Sequence, residues 1–326
     1  MMNINTTLEE NSLLHYLLLN QSITNDNVFF SKGVIKNKIR PSVYGGQLVS
    51  NSIFAAQKTV DSNFYCHSSH IFFLNAVEVE ETIIFKVERI RDSKNFSLRR
   101  VSCYHKDVLI SDCSLSFHKI EEGSIIHQGI MPVIPKPDEL KEYFDHVEEY
   151  SKGDLESYHL SQRVHLHFAT SYYPKLFCER RIYEPKIYLA LQKSNEVPQR
   201  YYSWLRCKET LPEDPNIHRC FLALISDAGI LDYAQKPHIA EGYIANFSTS
   251  LEHSLYIHTP NINMNKWILL ETVSPKAGNL IFPLSYLNLD GGRAITMGKF
   301  WSEDGLHLAT LIQESLHRSK ESRSKL

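Results

Sequence analysis

Two stretches of the chain carry helical spacing, and several others carry the alternation of strands. Over 45–60, GGQLVSNSIFAAQKTV, apolar or small residues occupy nearly every face. A helix of that kind is buried all round, as when a sheet wraps it. Over 216–235, NIHRCFLALISDAGILDYAQ, the positions Ile217, Phe221, Leu224, Ala228 and Leu231 step by four, three, four and three. That spacing predicts one apolar stripe on a second helix. Asp214 stands where it can cap this helix, and Pro215 suits the first turn. Asp227 falls roughly 20° outside the stripe at about 100° per residue, at the margin of the buried face. TIIFKVERI (82–90), FSLRRVSCY (96–104) and KWILLETVS (266–274) alternate and are rich in β-branched residues, so they read as strands.

The pattern occurs twice. The first half ends YHKDVLISDCSLSFHK (104–119) and the second WSEDGLHLATLIQESLHR (301–318). Each reads as an aromatic-led strand, a polar turn with Asp, and a second strand closing on His and a basic residue. HSSHIFFLNA (67–76) likewise matches SLEHSLYIHTP (250–260). The shared order, a helix and then antiparallel strands, predicts an internal duplication. Aligning His118 with His317 sets Ser114 against Gln313. Between the halves, 119–160 mixes Pro132, Pro135 and Pro137 with a dense acidic run. Prolines spaced this way block helix and central strand alike. They predict an extended segment and a short helix near 138–150. The expected organisation is a first domain over 1–125, a linker over 126–160 and a second domain over 161–326.

Composition narrows the class of protein. Of 326 residues, 43% are hydrophobic and 22% charged, an ordinary globular mix. Lys plus Arg number 35 and Asp plus Glu 37, so the net charge is −2 and there is no basic field to draw nucleic acid or anionic lipid. The six cysteines, Cys66, Cys103, Cys113, Cys178, Cys207 and Cys220, form no CxxC pair, which predicts reduced thiols. The N-terminal stretch lacks the basic and long apolar regions of a secretory signal. The longest apolar runs, near 221–225 and 267–270, are far too short for a membrane span. These features predict a soluble intracellular protein. The chain ends Ser324-Lys325-Leu326, which matches the peroxisomal import signal. That signal predicts an import receptor as partner and the peroxisomal matrix as location.

Other motifs exclude more than they assign. No GxSxG, GxGxxG or P-loop sequence is present, so nucleophile-elbow, dinucleotide and NTP chemistry lack their signatures. His67 and His70 lie three apart on a strand and should face opposite sides, a poor pair for one metal. His165 and His167 share a face without a third ligand nearby. No metal and no cofactor are expected. His67 and His253 suit hydrogen bonds that support their strands, and Arg99 and Arg100 suit structural or phosphate-facing roles.

Taken together, several segments resemble the type II acyl-CoA thioesterases, the double-hotdog group of bacteria and peroxisomes. In the first half they are VYGGQLVSNSIFAAQKTV, HSSHIFFL and RIRDSKNFSLRRV. In the second they are WLRCKETLPEDPNIHRCFLALISD, SLEHSLYIH and GLHLATLIQESLHR. The resemblance runs from about Phe30 to Arg318. It implies an α+β double hotdog, with two long central helices each wrapped by a curved antiparallel β-sheet. It also implies hydrolysis of acyl-CoA to free fatty acid and CoA-SH. The family's catalytic trio maps onto Asp227 of LISDAG, Ser250 at the head of SLEHSLYIH, and Gln313 of TLIQESLHR. The first helix offers no Asp, so one site per chain is expected, in the second half.

The sequence departs from the family pattern at Asn75-Ala76-Val77-Glu78, at Asn95 and in extra residues around 275–293. These changes bear on the substrate tunnel more than on the chemistry. Two rivals use the same fold. An enoyl-CoA hydratase needs a His close after the Asp, whereas His238 follows Asp227 by eleven residues. A non-catalytic acyl-CoA binder would not need the trio. Hotdog units pair readily, so association into dimers or tetramers is compatible with each of these readings.

Overall fold

The computed structural model describes residues 12–36, 42–78, 82–123, 125–170, 177–196, 198–278 and 291–319. Ser324-Lys325-Leu326 and most of the extra segment around 275–293 lie outside them. The chain forms two compact units. The first comprises Met1–Glu121 and Leu211–Leu224, the second Glu122–Thr210 and Ile225–Leu326. Each joins helix to antiparallel sheet, the α+β build expected of a hotdog pair.

The first unit contains α1 (Leu13–Leu17), β1 (Leu19–Gln21), β2 (Val28–Ser31), α2 (Gly45–Gln57), β3 (Phe64–Phe73), β4 (Ile84–Asp92), β5 (Phe96–His105) and β6 (Val108–Lys119). The sheet order is β1-β2-β4-β5-β6-β3, antiparallel throughout. Helix α2 packs against this sheet, and every residue from Gly46 to Ala56 is buried. The Gln47 and Asn51 amides on it bond to backbone. Gln47 accepts from Ile35 N–H (2.7 Å) and donates to the Gly33 carbonyl (2.8 Å). Asn51 donates to the carbonyls of Tyr16 (3.0 Å) and Leu17 (3.1 Å). The N-terminal segment is thereby stapled to the helix. Arg99 is 1% exposed and spends all five donors on Thr59, Arg91, Leu98 and Asp92. It is structural, with no donor left for a phosphate.

The second unit contains α3 (Tyr143–Lys152), α4 (Leu160–Ala169), β7 (Cys178–Ile182), α5 (Pro185–Tyr188) and β8 (Arg200–Cys207). After α6 (Pro215–Ser226) come α7 (Asp232–Ile239), β9 (Phe247–Ile257), β10 (Ile268–Ala277), β11 (Arg293–Ser302) and β12 (His307–Arg318). The sheet order is β9-β12-β11-β10-β8-β7, again antiparallel. The Pro-rich segment lies on this unit. Trp204 Nε1 donates to the Pro135 carbonyl (2.9 Å), and Met131, Ile134 and Leu140 pack on a cluster of Trp204, Trp267, Leu269 and Trp301. Helix α7 packs on β10 and β11. Its Lys236 is buried 4.0 Å from the ring centres of both Tyr188 and Tyr233, and burial pushes its ammonium down to about 8. The aromatic faces offset part of that desolvation.

The helix expected over 216–235 is two helices. The start is as read, with Pro215 as first residue and Asp214 Oδ1 accepting from Asn216 N–H at 2.8 Å. The end is not. α6 stops at Ser226, a turn covers 227–231, and α7 follows. Gly229, at φ 74°, supplies the left-handed residue that ends a helix. Asp227 is therefore the first residue past the helix rather than a residue on its side.

All six cysteines are buried and none is in a disulfide. Burial pushes Cys66 up to about 12 and Cys103 up to about 11, so these thiols are unreactive.

Gly46 is the tightest approach in the first unit. Tyr44 donates its hydroxyl to the Leu224 carbonyl (2.7 Å), and a Cβ on Gly46 would collide with that same carbonyl and with the Tyr44 ring. Gly46→Ala should destabilise the protein by about 1–3 kcal/mol through forced backbone displacement. Urea unfolding of the two proteins checks this; equal midpoints would show that the contact yields.

Candidate active site

Two of the three side chains expected to carry chemistry, Ser250 and Gln313, meet on the inner face of the second unit's sheet, and a register shift puts them there. β9 and β12 pair Gln313 with His253 and Glu314 with Glu252, then skip to Ser315 with Ser250. Leu251 is the extra residue. In a regular strand, residues three apart point to opposite faces. The bulge cancels one step, so Ser250 and His253 both reach the face that holds Gln313.

A chain of hydrogen bonds results. Gln313 Nε2 donates to Ser250 Oγ at 2.8 Å. Gln313 Oε1 lies 2.6 Å from His253 Nδ1, and His253 Nε2 lies 2.9 Å from Ser226 Oγ. Ser226, His253 and Gln313 are all 0% exposed, whereas Ser250 and Asp227 are half-buried. Of the three expected residues, Ser250 and Gln313 are bonded directly. Asp227 follows Ser226, so its Cα lies about 3.8 Å from that of a residue in the chain. The turn bearing Asp227 also receives a bond from Arg180, whose Nη2 donates to the Ala228 carbonyl at 3.5 Å. Further along β12, Ser315 Oγ lies 2.8 Å from His317 Nε2, and His317 Nδ1 lies 3.1 Å from Ser248 Oγ. The inward positions Gln313, Ser315 and His317 thus form a polar row.

The first unit carries the same bulge without the chemistry. β3 and β6 pair Ser69 with Leu115 and Ser68 with Ser116, then skip to Cys66 with Phe117. Superposing the two shifts matches Cys66 to Ser250, Ser69 to His253 and Leu115 to Gln313. Ser114, set against Gln313 by the sequence alignment, is instead exposed and pairs with His70. The alignment is one residue out, because His118 lies on the outer face and His317 on the inner. The bulge also changes the expected placement of His67 and His70. They come to the same face, where burial, and after it the nearby His118 and His70, hold His67 below its ordinary value and His67 Nε2 lies 2.9 Å from Ser116 Oγ. Among the described residues, no group of three His, Cys, Asp or Glu is placed to hold a metal ion.

His253 carries more than the strand support expected of it, and Ser226 gave no signal in the sequence. The bulge that brings Ser250 to Gln313 has no sequence signature. His238, the histidine a hydratase would need beside Asp227, is exposed on α7 against Tyr243.

Comparison with known proteins gives consistent results. An acyl-CoA thioesterase family model matches residues 174–316, and an acyl-CoA thioesterase N-terminal-domain model matches 36–118. The chain is 31% identical to acyl-coenzyme A thioesterase 8 of Rattus norvegicus over 87% of its own length and 83% of that protein's. It is 26% identical to peroxisomal acyl-coenzyme A thioester hydrolase 1 of Saccharomyces cerevisiae, over 72% of this chain and 77% of that one. The crystal structure of acyl-CoA thioesterase II TesB2 from Mycobacterium marinum superposes with a TM-score of 0.71 and 27% identity, covering 95% of this chain and 100% of that one.

Burial pushes the His253 imidazole down to about 4 from an ordinary 6.5, and His317 likewise to about 4. Between those values the unfolded chain binds more protons than the folded one. Unfolding free energy should therefore rise with pH from about 4 to about 6.5 and be fully developed above that window. His253 alone should account for a loss on the order of 3 kcal/mol as pH falls through it. Urea unfolding at steps across that range, for wild type and His253→Asn, checks this. The variant should show the shallower slope, and identical slopes would count against a buried neutral imidazole.

Proposed function

The chain belongs to the acyl-CoA thioesterase family, and we propose that it hydrolyses acyl-CoA thioesters with a water activated by Asp227 and positioned by Ser250 and Gln313. The observation that carries this reading is the 2.8 Å bond from Gln313 to Ser250, on the same hydrogen-bonded chain as the residue preceding Asp227. A thioester needs a directed water, a group to take its proton and donors for the developing oxyanion. The Asp227 carboxylate takes a proton as the water oxygen adds to the thioester carbonyl carbon. The tetrahedral intermediate then collapses, the C–S bond breaks, and the thiolate receives that proton to leave as CoA-SH. Ser250, having accepted from Gln313, keeps its own O–H and a lone pair with which to hold the water. Half-buried and with neutral partners, it fixes the water's direction without competing for its proton.

The inner face of the second unit supports a single site per chain. The matching positions of the first unit, Cys66, Ser69 and Leu115, offer no such pair. Ser69 Oγ there is buried without a hydrogen-bond partner among the described residues.

The terminal Ser324-Lys325-Leu326 adds a location. The tripeptide directs the protein to the peroxisomal matrix through the import receptor. The yeast relative named as peroxisomal supports this.

Release of free thiol from a panel of acyl-CoAs tests the activity. Wild type should release CoA-SH. Asp227→Asn, which keeps the shape and cannot take a proton, should lose about 10²–10⁴ in kcat with KM little changed. Acyl-CoA binding without thiol release would replace the enzyme by a binder. A fluorescent fusion with and without the last three residues tests the location. Import should require them, and equal distribution of the two would remove the assignment.

A further inference from the structure

The polar chain on the inner face has a direction, and that direction is set at the end away from Ser250. Gln313 presents its carbonyl oxygen to His253 Nδ1 (2.6 Å) and its amide nitrogen to Ser250 Oγ (2.8 Å). A carbonyl oxygen only accepts, so Nδ1 carries the proton. A neutral imidazole then offers Nε2 as an acceptor, and the group facing it is the Ser226 hydroxyl at 2.9 Å. We propose that Ser226 and His253 are positioning residues that set the direction of the Gln313 amide, donor end toward Ser250, by fixing which ring nitrogen of His253 holds the proton.

The inference rests on the reading of Ser250 and Gln313 as the pair that positions the water. Neither Ser226 nor His253 can touch substrate, since both are 0% exposed. They act through Gln313, which is equally buried and can turn its amide by half a rotation at no cost in shape. A flipped amide would put an acceptor against Ser250. The serine would then have to donate its only proton inward and would have none for the water. Burial keeps the ring neutral, with its pKa pushed down to about 4, so the single N–H persists at working pH. The first unit shows the arrangement without its purpose. The same bulge places Ser69 and Leu115 where His253 and Gln313 stand, and there is no amide to direct.

Two measurements test this on the full-length protein. The first is the tautomer of His253, read from long-range ¹⁵N–¹H couplings in protein labelled at histidine, with His253→Asn to assign the signal by its loss. A neutral ring protonated on Nδ1 is expected; protonation on Nε2 overturns the proposal. The second is kinetics of His253→Asn, His253→Gln and His253→Phe. An Asn side-chain nitrogen can stand where Nδ1 stands, a Gln nitrogen only where Nε2 stands, and Phe keeps the volume with neither. His253→Phe and His253→Gln should lower kcat by about ten- to a hundredfold with KM nearly unchanged. His253→Asn should recover most of the loss. A Phe variant at wild-type kcat, or an Asn variant no better than Gln, overturns the proposal. If wild type releases no thiol, the hydrolase reading fails, while the tautomer still reports on the relay.

Discussion

Between Ser250 and Glu252, β9 carries one residue more than its partner β12, and the second unit's inner face depends on that insertion. Without it, Ser250 would face away from His253, and Gln313 would have a histidine on one side and no hydroxyl on the other. A one-residue change of register turns a strand's side chains over. Here the change is confined to one end of the strand, so His253 keeps its place and only the residues before Leu251 are turned. The price in ladder geometry is local and small beside the cost of leaving a buried amide half-satisfied, about 1–3 kcal/mol.

The first unit shows what the fold does when that inner face has no site to hold. On β6 the positions equivalent to Gln313 and Ser315 are Leu115 and Phe117, both buried and apolar, on the sheet against which the wholly buried α2 packs. The second unit sets Gln313 and Ser315 there on β12, with His317 next along the same face. Each needs a partner, and each has one: Gln313 in Ser250 and His253, Ser315 in His317, and His317 also in Ser248. The shared bulge belongs to the duplicated architecture. The polar row belongs to one copy, and it exchanges hydrophobic burial for directed hydrogen bonds. Buried polar networks are favourable only when complete, which leaves little freedom to change one member alone.

Much of this was legible in the residues. The buried helix α2 followed from the even spread of small and apolar residues over 45–60. The start of α6 followed from Asp214 and Pro215. The strands and their duplication followed from alternation and from closing motifs. Asp227, Ser250 and Gln313 came from resemblance, since a lone helical acid or strand serine carries no signal of its own. Two things were not legible, for one physical reason. The common face of His67 and His70 and the pairing of Ser250 with Gln313 both depend on bulges. A bulge changes direction without changing composition, so an alternating pattern reads the same on either side of it. The break of the second helix did have a local signal in Gly229. The apolar stripe continuing through Ala228 and Leu231 masked it, because a second helix resumes along the same chain direction.

That break matters for the chemistry. Had α6 continued, Asp227 would be one more residue on a helix side, its direction fixed by helical geometry. Past the helix end it stands in a turn held by Arg180 at the Ala228 carbonyl and by Ser226 at His253. The turn bearing the proposed base and the pair proposed to hold the water are thus tied through four hydrogen-bonded side chains. In such a unit the effects of substitutions do not add, because each member's geometry is conditional on the next. Ser226, His253, Gln313 and Ser250 should therefore behave in double-mutant cycles as one group. The coupling between Ser226 and Ser250, which do not touch, is the quantity that separates a directed relay from four independent contacts.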